Sequence, residues 1–175
     1  NDKKIGIPGE DAVGVHSAVQ LLRDIGEGRV PDFKGKRVCV IGGGNVSMDA
    51  TRTAIRLGAS AVTCVYRRRV TDMTALAEEI EEAQSEGCQI LSLQAPGHIE
   101  TGETGRVTAL WTRPQVIGAS GKDGRPRPYD ADQPLLRTPC DVVIVAIGQS
   151  IDAKPFEQIA PVVRGKIQAE SDAFV

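Results

Sequence analysis

The apolar and polar residues in the first half of the chain alternate in a pattern that predicts short strands and helices in turn. Three runs rich in β-branched residues are typical of buried strands, because each is too short for a helix and is bounded by turn residues. Between them, apolar residues recur at three- and four-residue spacing, which is typical of amphipathic helices. The pattern predicts strands over residues 37–41, 61–66 and 89–94, and helices over 15–25, 45–57 and 74–86.

The order of these elements predicts an α/β fold. Strand, helix, strand, helix and strand in succession form a right-handed parallel unit. From about residue 97 to 138 the pattern changes to short alternating stretches with glycine-rich turns, which predicts a small antiparallel β-meander. The apolar run at 141–147 is typical of a strand that returns to a buried parallel sheet. We therefore expect a parallel sheet with helices on both faces, plus the meander.

Length and composition agree with one such domain. The chain has 175 residues, of which 41% are hydrophobic, enough to form a sizeable core. We expect residues 1–35 to be an N-terminal connecting segment with one helix, and residues 36–150 to be the main domain. Residues 151–175 are expected to form a C-terminal segment.

Charge and hydropathy exclude several classes of protein. A net charge of −2 provides no general attraction to nucleic acid or to an anionic membrane. The N-terminal residues lack the apolar core of a signal peptide, and no apolar run is long enough to span a bilayer. We therefore expect a cytoplasmic protein with no nucleic-acid partner and no membrane partner.

Cysteine and histidine form no metal-binding or nucleophilic pattern. The cysteines lie inside predicted strands or are isolated, and no C-x₂-C spacing occurs. Such cysteines are typical of small buried hydrophobic residues. The histidines are also isolated, so we expect ordinary surface or half-buried side chains and no metal. These residues are Cys39, Cys64, Cys88, Cys140, His16 and His98.

The first predicted strand leads directly into a glycine-rich segment that opens the next helix. The segment matches G-x-G-x-x-G/A, with Ser47 as the small third residue. Gly42 allows the strand to turn sharply, Gly44 allows the backbone to approach a pyrophosphate, and amides at the helix N-terminus hold the phosphates. Strand, loop and helix together predict a Rossmann-like dinucleotide-binding domain. The residues expected to line the site are Gly42, Gly43, Gly44, Asn45, Val46 and Ser47.

The end of the second predicted strand indicates which dinucleotide is bound. In NAD-binding units, an acidic residue about 20 positions past the loop binds the ribose 2′-hydroxyl. Here the strand ends at Tyr66, followed by Arg67, Arg68 and Arg69, and no acid is present. Because a guanidinium group binds phosphate through a planar fork of donors, we expect Arg67 and Arg68 to bind the 2′-phosphate of NADPH.

Two other enzyme classes that use a similar loop do not fit. A short-chain dehydrogenase carries a catalytic Tyr with a Lys four residues later, and neither Tyr66 nor Tyr129 has one. A methyltransferase needs an acid at the end of the second strand, where Arg67 stands. No general acid–base pair is visible, so we assign no catalytic residue.

Four segments of the chain resemble the pyridine nucleotide-disulfide oxidoreductase superfamily, and within it the NADPH domain of the glutamate synthase small (β) subunit-like family. They are GIPGEDAVGVHSAV, GKRVCVIGGGNVSMDATRTAIRLGA, VTCVYRRRVTDMTALAEEIEEA and CDVVIVAIGQ, in the family's order. The resemblance implies an FAD-dependent flavoprotein oxidoreductase in which NADPH passes a hydride to flavin. It also implies that Ala146, Ile147 and Gly148 bind the cofactor, with Gly148 near the nicotinamide.

The resemblance implies partners as well. They are the FAD domain of the same parent chain and an iron–sulfur or glutamate synthase large-subunit-like protein that receives the electrons. The family's FAD-binding glycine loop, its closing Gly-Asp motif and its iron–sulfur cysteines do not occur in this sequence. We therefore expect a domain fragment that is inactive alone. The alternative is a non-catalytic NADPH-binding sensor module without a flavoprotein parent.

Overall fold

The computed structural model describes residues 4–120 and 126–148, together with two short strands closer to the C-terminus. Lys4–Ile147 forms one compact unit, and the two short strands pair antiparallel within a second unit. The remainder of the expected C-terminal segment, 151–175, lies outside the described residues. The elements are β1 (Val15–Ser17), α1 (Ala18–Gly26), β2 (Arg37–Ile41), α2 (Asn45–Arg56), β3 (Ala61–Tyr66), a 3-10 turn (Val70–Asp72), α3 (Ala77–Ser85), β4 (Gln89–Ser92), β5 (Gln94–Thr101), β6 (Val107–Ser120), β7 (Pro126–Asp130), β8 (Leu136–Pro139), β9 (Val142–Val145), β10 (Val162–Val163) and β11 (Lys166–Ile167).

Five parallel strands form the central sheet, in the order β1-β9-β2-β3-β4. The predicted strands 37–41 and 61–66 are confirmed as β2 and β3, which pair in parallel from Arg37 with Ala61 to Ile41 with Val65. The apolar run at 141–147 returns to this sheet as β9, between β1 and β2, as predicted. Both faces of β9 are covered by other parts of the protein, which is why the strand is apolar throughout.

All three helices of the described chain pack on one face of the parallel sheet. The α/β class is confirmed, but the expectation of helices on both faces is wrong for the part that the structure describes. The chain crosses the sheet in one direction, from β1 through β2 and β3 to β4, and right-handed connections in one direction place every helix on the same side. The core on this side consists of Ala18, Leu21, Phe33, Val38, Val40, Ala50, Ala54, Val62, Val142 and Ile144, continued by Met48, Cys64, Ile80, Ala83 and Cys88.

The antiparallel meander covers the opposite face, where a doubly wound fold would have helices. Strands β5, β6 and β7 pair in that order, and β8 pairs with β6. The predicted meander is thus confirmed, although it begins at Gln94 and ends at Pro139. The buried residues of this second core are Cys39, Ile41, Val65, Ile99, Val107, Leu110, Cys140 and Val143.

The N-terminal segment differs from the prediction. Val15–Ser17 is not helical but forms β1, which pairs parallel with β9, and helix α1 begins only at Ala18. Ser17 caps this helix, because its Oγ accepts a hydrogen bond from the amide of Gln20 at 3.4 Å. The edge of β9 provides backbone partners that local residue spacing does not reveal. Residues 4–35 lie within the same compact unit as the parallel sheet.

Candidate functional site

The carboxyl ends of β2, β3 and β9 meet at one edge of the parallel sheet, and the glycine loop begins there. The amide of Gly42 donates to the carbonyl of Val65 (3.1 Å), and the amide of Ala146 donates to the carbonyl of Ile41 (2.8 Å). A Cβ atom on Gly42 would lie only 2.5 Å from the carbonyl oxygen of Ala146. Because no side chain fits in this space, the sharp turn after β2 requires glycine.

The third position of the motif does more than leave room for helix packing. Ser47 is fully buried, and its Oγ accepts a hydrogen bond from the amide of Gly44 (2.8 Å) and donates one to the carbonyl of the same residue (2.7 Å). The amide of Gly44 is therefore already paired within the protein. The amides that remain for a ligand lie further along the first turn of α2.

A segment after β3, which we call the clasp (residues 72–76), holds the glycine loop from the outside. The carbonyl of Gly43 accepts hydrogen bonds from the amides of Thr74 (2.8 Å) and Ala75 (3.0 Å). The amide of Leu76 donates to Oδ1 of Asn45 (3.0 Å). The helix predicted to begin at residue 74 therefore begins at Ala77, because the clasp amides bond to the loop and not within a helix.

Tyr66 packs between the clasp and the glycine loop. It was not among the predicted site residues. Its ring packs against Gly43 so closely that a Cβ atom there would lie 2.5 Å from Cε2 of the ring. Its hydroxyl donates to the carbonyl of Asp72 (2.8 Å), which ties the ring to the clasp. The only sequence signal was the position of Tyr66 as the last residue of β3, next to the arginines.

The first turn of α2 presents unpaired amides. Its N-cap is Gly44, which has no side chain to cap the helix. Within the described residues, the amides of Asn45 and Val46 have no hydrogen-bond acceptor, and both residues are exposed. Free amides at a helix N-terminus, together with the helix dipole, form a binding site for an anion such as a phosphate.

The three arginines after β3 have different surroundings. Arg67 is exposed and has no hydrogen-bond or ion-pair partner in the part of the chain that the structure describes. Arg68 donates from Nε to the carbonyl of Pro126 (2.8 Å). Arg69 forms a two-point ion pair with Asp72 (2.8 and 3.0 Å), which lowers the pKa of that carboxyl group. Arg69 is therefore engaged within the protein, whereas Arg67 is available to a ligand.

The residues after β9 are only partly brought to this site. Ala146 lies directly against Gly42, as described above, and Ile147 follows it with an exposed side chain. Gly148 has a positive φ of 92° and begins the part of the chain that belongs to the second compact unit. The structure thus brings the glycine loop, the end of β3 and Ala146 together.

The cysteines and histidines have the structural character expected from the sequence. All four cysteines are free and buried, and burial raises the pKa of Cys64 to about 12 and that of Cys88 to about 11. His98 stacks on Trp111, with ring centroids 5.5 Å apart. Among the described residues there is no group of three or more metal-ligating side chains and no helix long and apolar enough to cross a membrane.

Two curated relatives match most of the chain. The NADP(+)-dependent formate dehydrogenase subunit beta of Moorella thermoacetica is 37% identical over 151 residues, which are 85% of this chain and 21% of that protein. The glutamate synthase (NADPH) small chain of Halomonas elongata is 36% identical over 164 residues, which are 88% of this chain and 34% of that protein. The chain thus spans between a fifth and about a third of the length of these relatives.

Solved structures share the fold. Mycobacterium tuberculosis FprA in complex with NADPH has a TM-score of 0.74 and 18% identity, covering 97% of this chain and 54% of that protein. The thioredoxin reductase of Lactococcus lactis has a TM-score of 0.71 and 18% identity, covering 98% of this chain and 50% of that protein. The family model for pyridine nucleotide-disulphide oxidoreductases matches residues 1–173. By its glycine loop, its sheet and this match, the chain belongs to the pyridine nucleotide-disulphide oxidoreductase family.

Proposed function

We propose that this chain is the NADPH-binding domain of an FAD-dependent oxidoreductase similar to the glutamate synthase small chain. The observation that carries the proposal is the combination of unpaired amides and a free guanidinium at one sheet edge. The amides of Asn45 and Val46 suit a pyrophosphate, and Arg67 follows the adjacent strand without a partner among the described residues. The names of the relatives, which refer to NADPH or NADP(+), support the same cofactor.

The residues present fit a bound dinucleotide. There is no room for a side chain at Gly42 or Gly43, because the loop packs directly against the backbone after β9 and against the Tyr66 ring. Ser47 and the clasp pair the polar groups of the loop that face the protein, which leaves the amides of Asn45 and Val46 facing outward. When bound, the nicotinamide supplies hydride to an acceptor such as flavin, and this chain's part is to hold and orient it.

The parent enzyme is proposed to supply the flavin and the onward electron path. The chain covers a minor part of each relative, so an FAD domain of the same parent chain is its proposed neighbour. A subunit with iron–sulfur centres, or one like the large subunit of glutamate synthase, is the proposed electron acceptor. Both relatives are named as subunits or chains of larger enzymes, which supports a partner subunit in general.

The cofactor assignment is tested by calorimetric titration of the chain with NADPH and with NADH. We expect NADPH to bind about 10- to 100-fold more tightly, because charge-assisted bonds to the extra phosphate are worth about 1.5–3 kcal/mol each. Arg67→Glu should remove most of this preference. It replaces an exposed guanidinium with a carboxylate that repels the phosphate, and it disturbs no hydrogen bond within the described residues.

Arg23→Glu is the matched control. Arg23 is also exposed, but it lies on α1, which does not form the glycine loop. Its substitution makes the same change in net charge as Arg67→Glu. It should leave both affinities within about twofold of the unchanged chain. Equal affinities of the unchanged chain for NADPH and NADH would contradict the proposed function.

A further inference from the structure

The backbone of Arg68 is held by a single residue with an unusual conformation. The amide of Leu93 donates to the carbonyl of Arg68 (3.0 Å), and the carbonyl of Leu93 accepts from the amide of Gln115 in β6 (2.8 Å). Leu93 has φ 57°, and it is the only non-glycine residue with positive φ in the described part of the chain. The end of β3 is thus joined to the antiparallel meander through Leu93.

The left-handed conformation follows from the position of Leu93. It is the single residue between β4, which belongs to the parallel sheet, and β5, which belongs to the meander. The chain changes sheets within this one residue while both of its backbone groups remain bonded. Leucine is disfavoured at positive φ, so the conformation persists only because the surrounding bonds require it.

The side chain of Arg68 is held by the same meander from another direction. Its Nε donates to the carbonyl of Pro126 at the start of β7, on the hairpin formed by β6 and β7. The two terminal amino groups of this guanidinium have no partner among the described residues. A guanidinium fixed at Nε keeps one edge with two parallel donors, which is the arrangement that binds a phosphate at two points.

We propose that Leu93 is a positioning residue that fixes the backbone of Arg68 so that its side chain can bind the 2′-phosphate of NADPH. The hydrogen bond from Nε to Pro126 on the β6–β7 hairpin fixes the orientation of the guanidinium plane. This inference rests on the proposed function. It assigns the meander a part in cofactor specificity. Arg67 contributes a guanidinium with no partner among the described residues, whereas Arg68 contributes a guanidinium whose orientation is fixed by the meander. Because NADH lacks the 2′-phosphate, a change that only misplaces Arg68 affects NADPH and leaves NADH binding as it was.

The test compares Leu93→Val with Leu93→Gly. Glycine adopts positive φ without steric cost, whereas a β-branched residue resists it. We expect Leu93→Val to weaken NADPH binding by about tenfold, which matches the loss of one charge-assisted hydrogen bond, while its NADH affinity stays within about twofold. Leu93→Gly removes more of the side chain but should keep both affinities. Loss of packing alone would give the opposite order.

A double-mutant cycle with Arg68→Ala tests whether Leu93 acts through Arg68. In the Arg68→Ala background, Leu93→Val should cause no further loss of NADPH affinity. Additive losses, equal NADPH affinities of the Val and Gly variants, or an equal loss for NADH would each overturn the inference. If Leu93→Val does not fold by circular dichroism, Leu93→Thr, which is also β-branched, takes its place in every comparison. Failure of the proposed function is a distinct result, since the unchanged chain would then show no preference for NADPH.

Discussion

Neighbouring glycines of the loop have different structural requirements. A Cβ atom on Gly43 would lie 2.5 Å from the Tyr66 ring, whereas one on Gly44 would meet only Thr74 Oγ1 at 3.3 Å. We expect Gly43→Ala to lower the free energy of unfolding by about 1–3 kcal/mol, the usual cost of overpacking, because the ring must move away from the clasp. Gly44→Ala is the control and should cost less than about 1 kcal/mol. Urea denaturation measures both, and equal effects would contradict this account.

A pair of buried threonines offers a second comparison at single residues. Thr51 in α2 is fully buried, and its Oγ1 has no hydrogen-bond partner among the described residues, whereas Oγ1 of the equally buried Thr112 donates to Gln94 Oε1 at 2.8 Å. Thr51→Val removes an unsatisfied polar group at nearly constant volume and should raise the free energy of unfolding by about 1 kcal/mol. Thr112→Val should lower it by about 0.5–1.5 kcal/mol, the net worth of one hydrogen bond, because the half-buried side-chain oxygen of Gln94 loses its donor. Thermal unfolding of both variants checks the signs, and two changes in the same direction would refute the prediction.

At the scale of elements, one carboxylate connects three strands of the meander. Glu100 in β5 accepts hydrogen bonds from Arg137 in β8 (2.6 and 3.0 Å), and from Trp111 (2.7 Å) and Thr108 (2.9 Å) in β6. These partners, Arg137 first, lower the pKa of Glu100 from 4.5 to about 2. The network therefore requires the ionised carboxylate, and protonation of Glu100 weakens these hydrogen bonds and the ion pair with Arg137.

This network predicts a specific pH dependence. Because the pKa of Glu100 is lower in the folded chain than the ordinary value of 4.5, its stabilising effect is complete above that value and is lost as the pH falls towards about 2. The difference in unfolding free energy between the unchanged chain and Glu100→Gln should be constant near neutral pH and shrink between about pH 4.5 and 2. Urea denaturation across this range measures the difference. A difference independent of pH would show that the charge of Glu100 does not stabilise the sheet.

At the scale of the whole molecule, the sequence has one glycine loop for one dinucleotide. Hydride transfer requires an acceptor held against the nicotinamide, and the chemistry lies in the cofactors. We expect the purified 175-residue chain to bind NADPH but to carry no flavin absorbance and to reduce no dye acceptor above background. Titration of the same preparation with NADPH is the control for folding. A co-purifying flavin, or steady dye reduction by the chain alone, would contradict the proposed role.

Much of the fold could be predicted from local patterns. Strands β2 and β3 were predicted with their correct bounds, because a buried strand in a parallel sheet is apolar on both faces and is followed by turn residues. The glycine loop could be recognised because its spacing reflects the shape of a turn within six consecutive residues. Strand β1 was missed, because its three residues share the spacing of the following helix and become a strand only beside β9.

Residue order along the chain was sufficient for the family, the α/β class and the position of the glycine loop, since each depends on neighbours within one turn or one strand. The folded protein alone decided which face the helices cover, which of the three arginines after β3 lacks a partner among the described residues, and that Leu93 links the end of β3 to the meander. The physical reason is distance along the chain. Arg68 and Pro126 are 58 residues apart, and the hydroxyl of Thr74 is 31 residues from the Gly43 carbonyl to which it donates. Such partners meet only in the folded chain, and no local spacing encodes them.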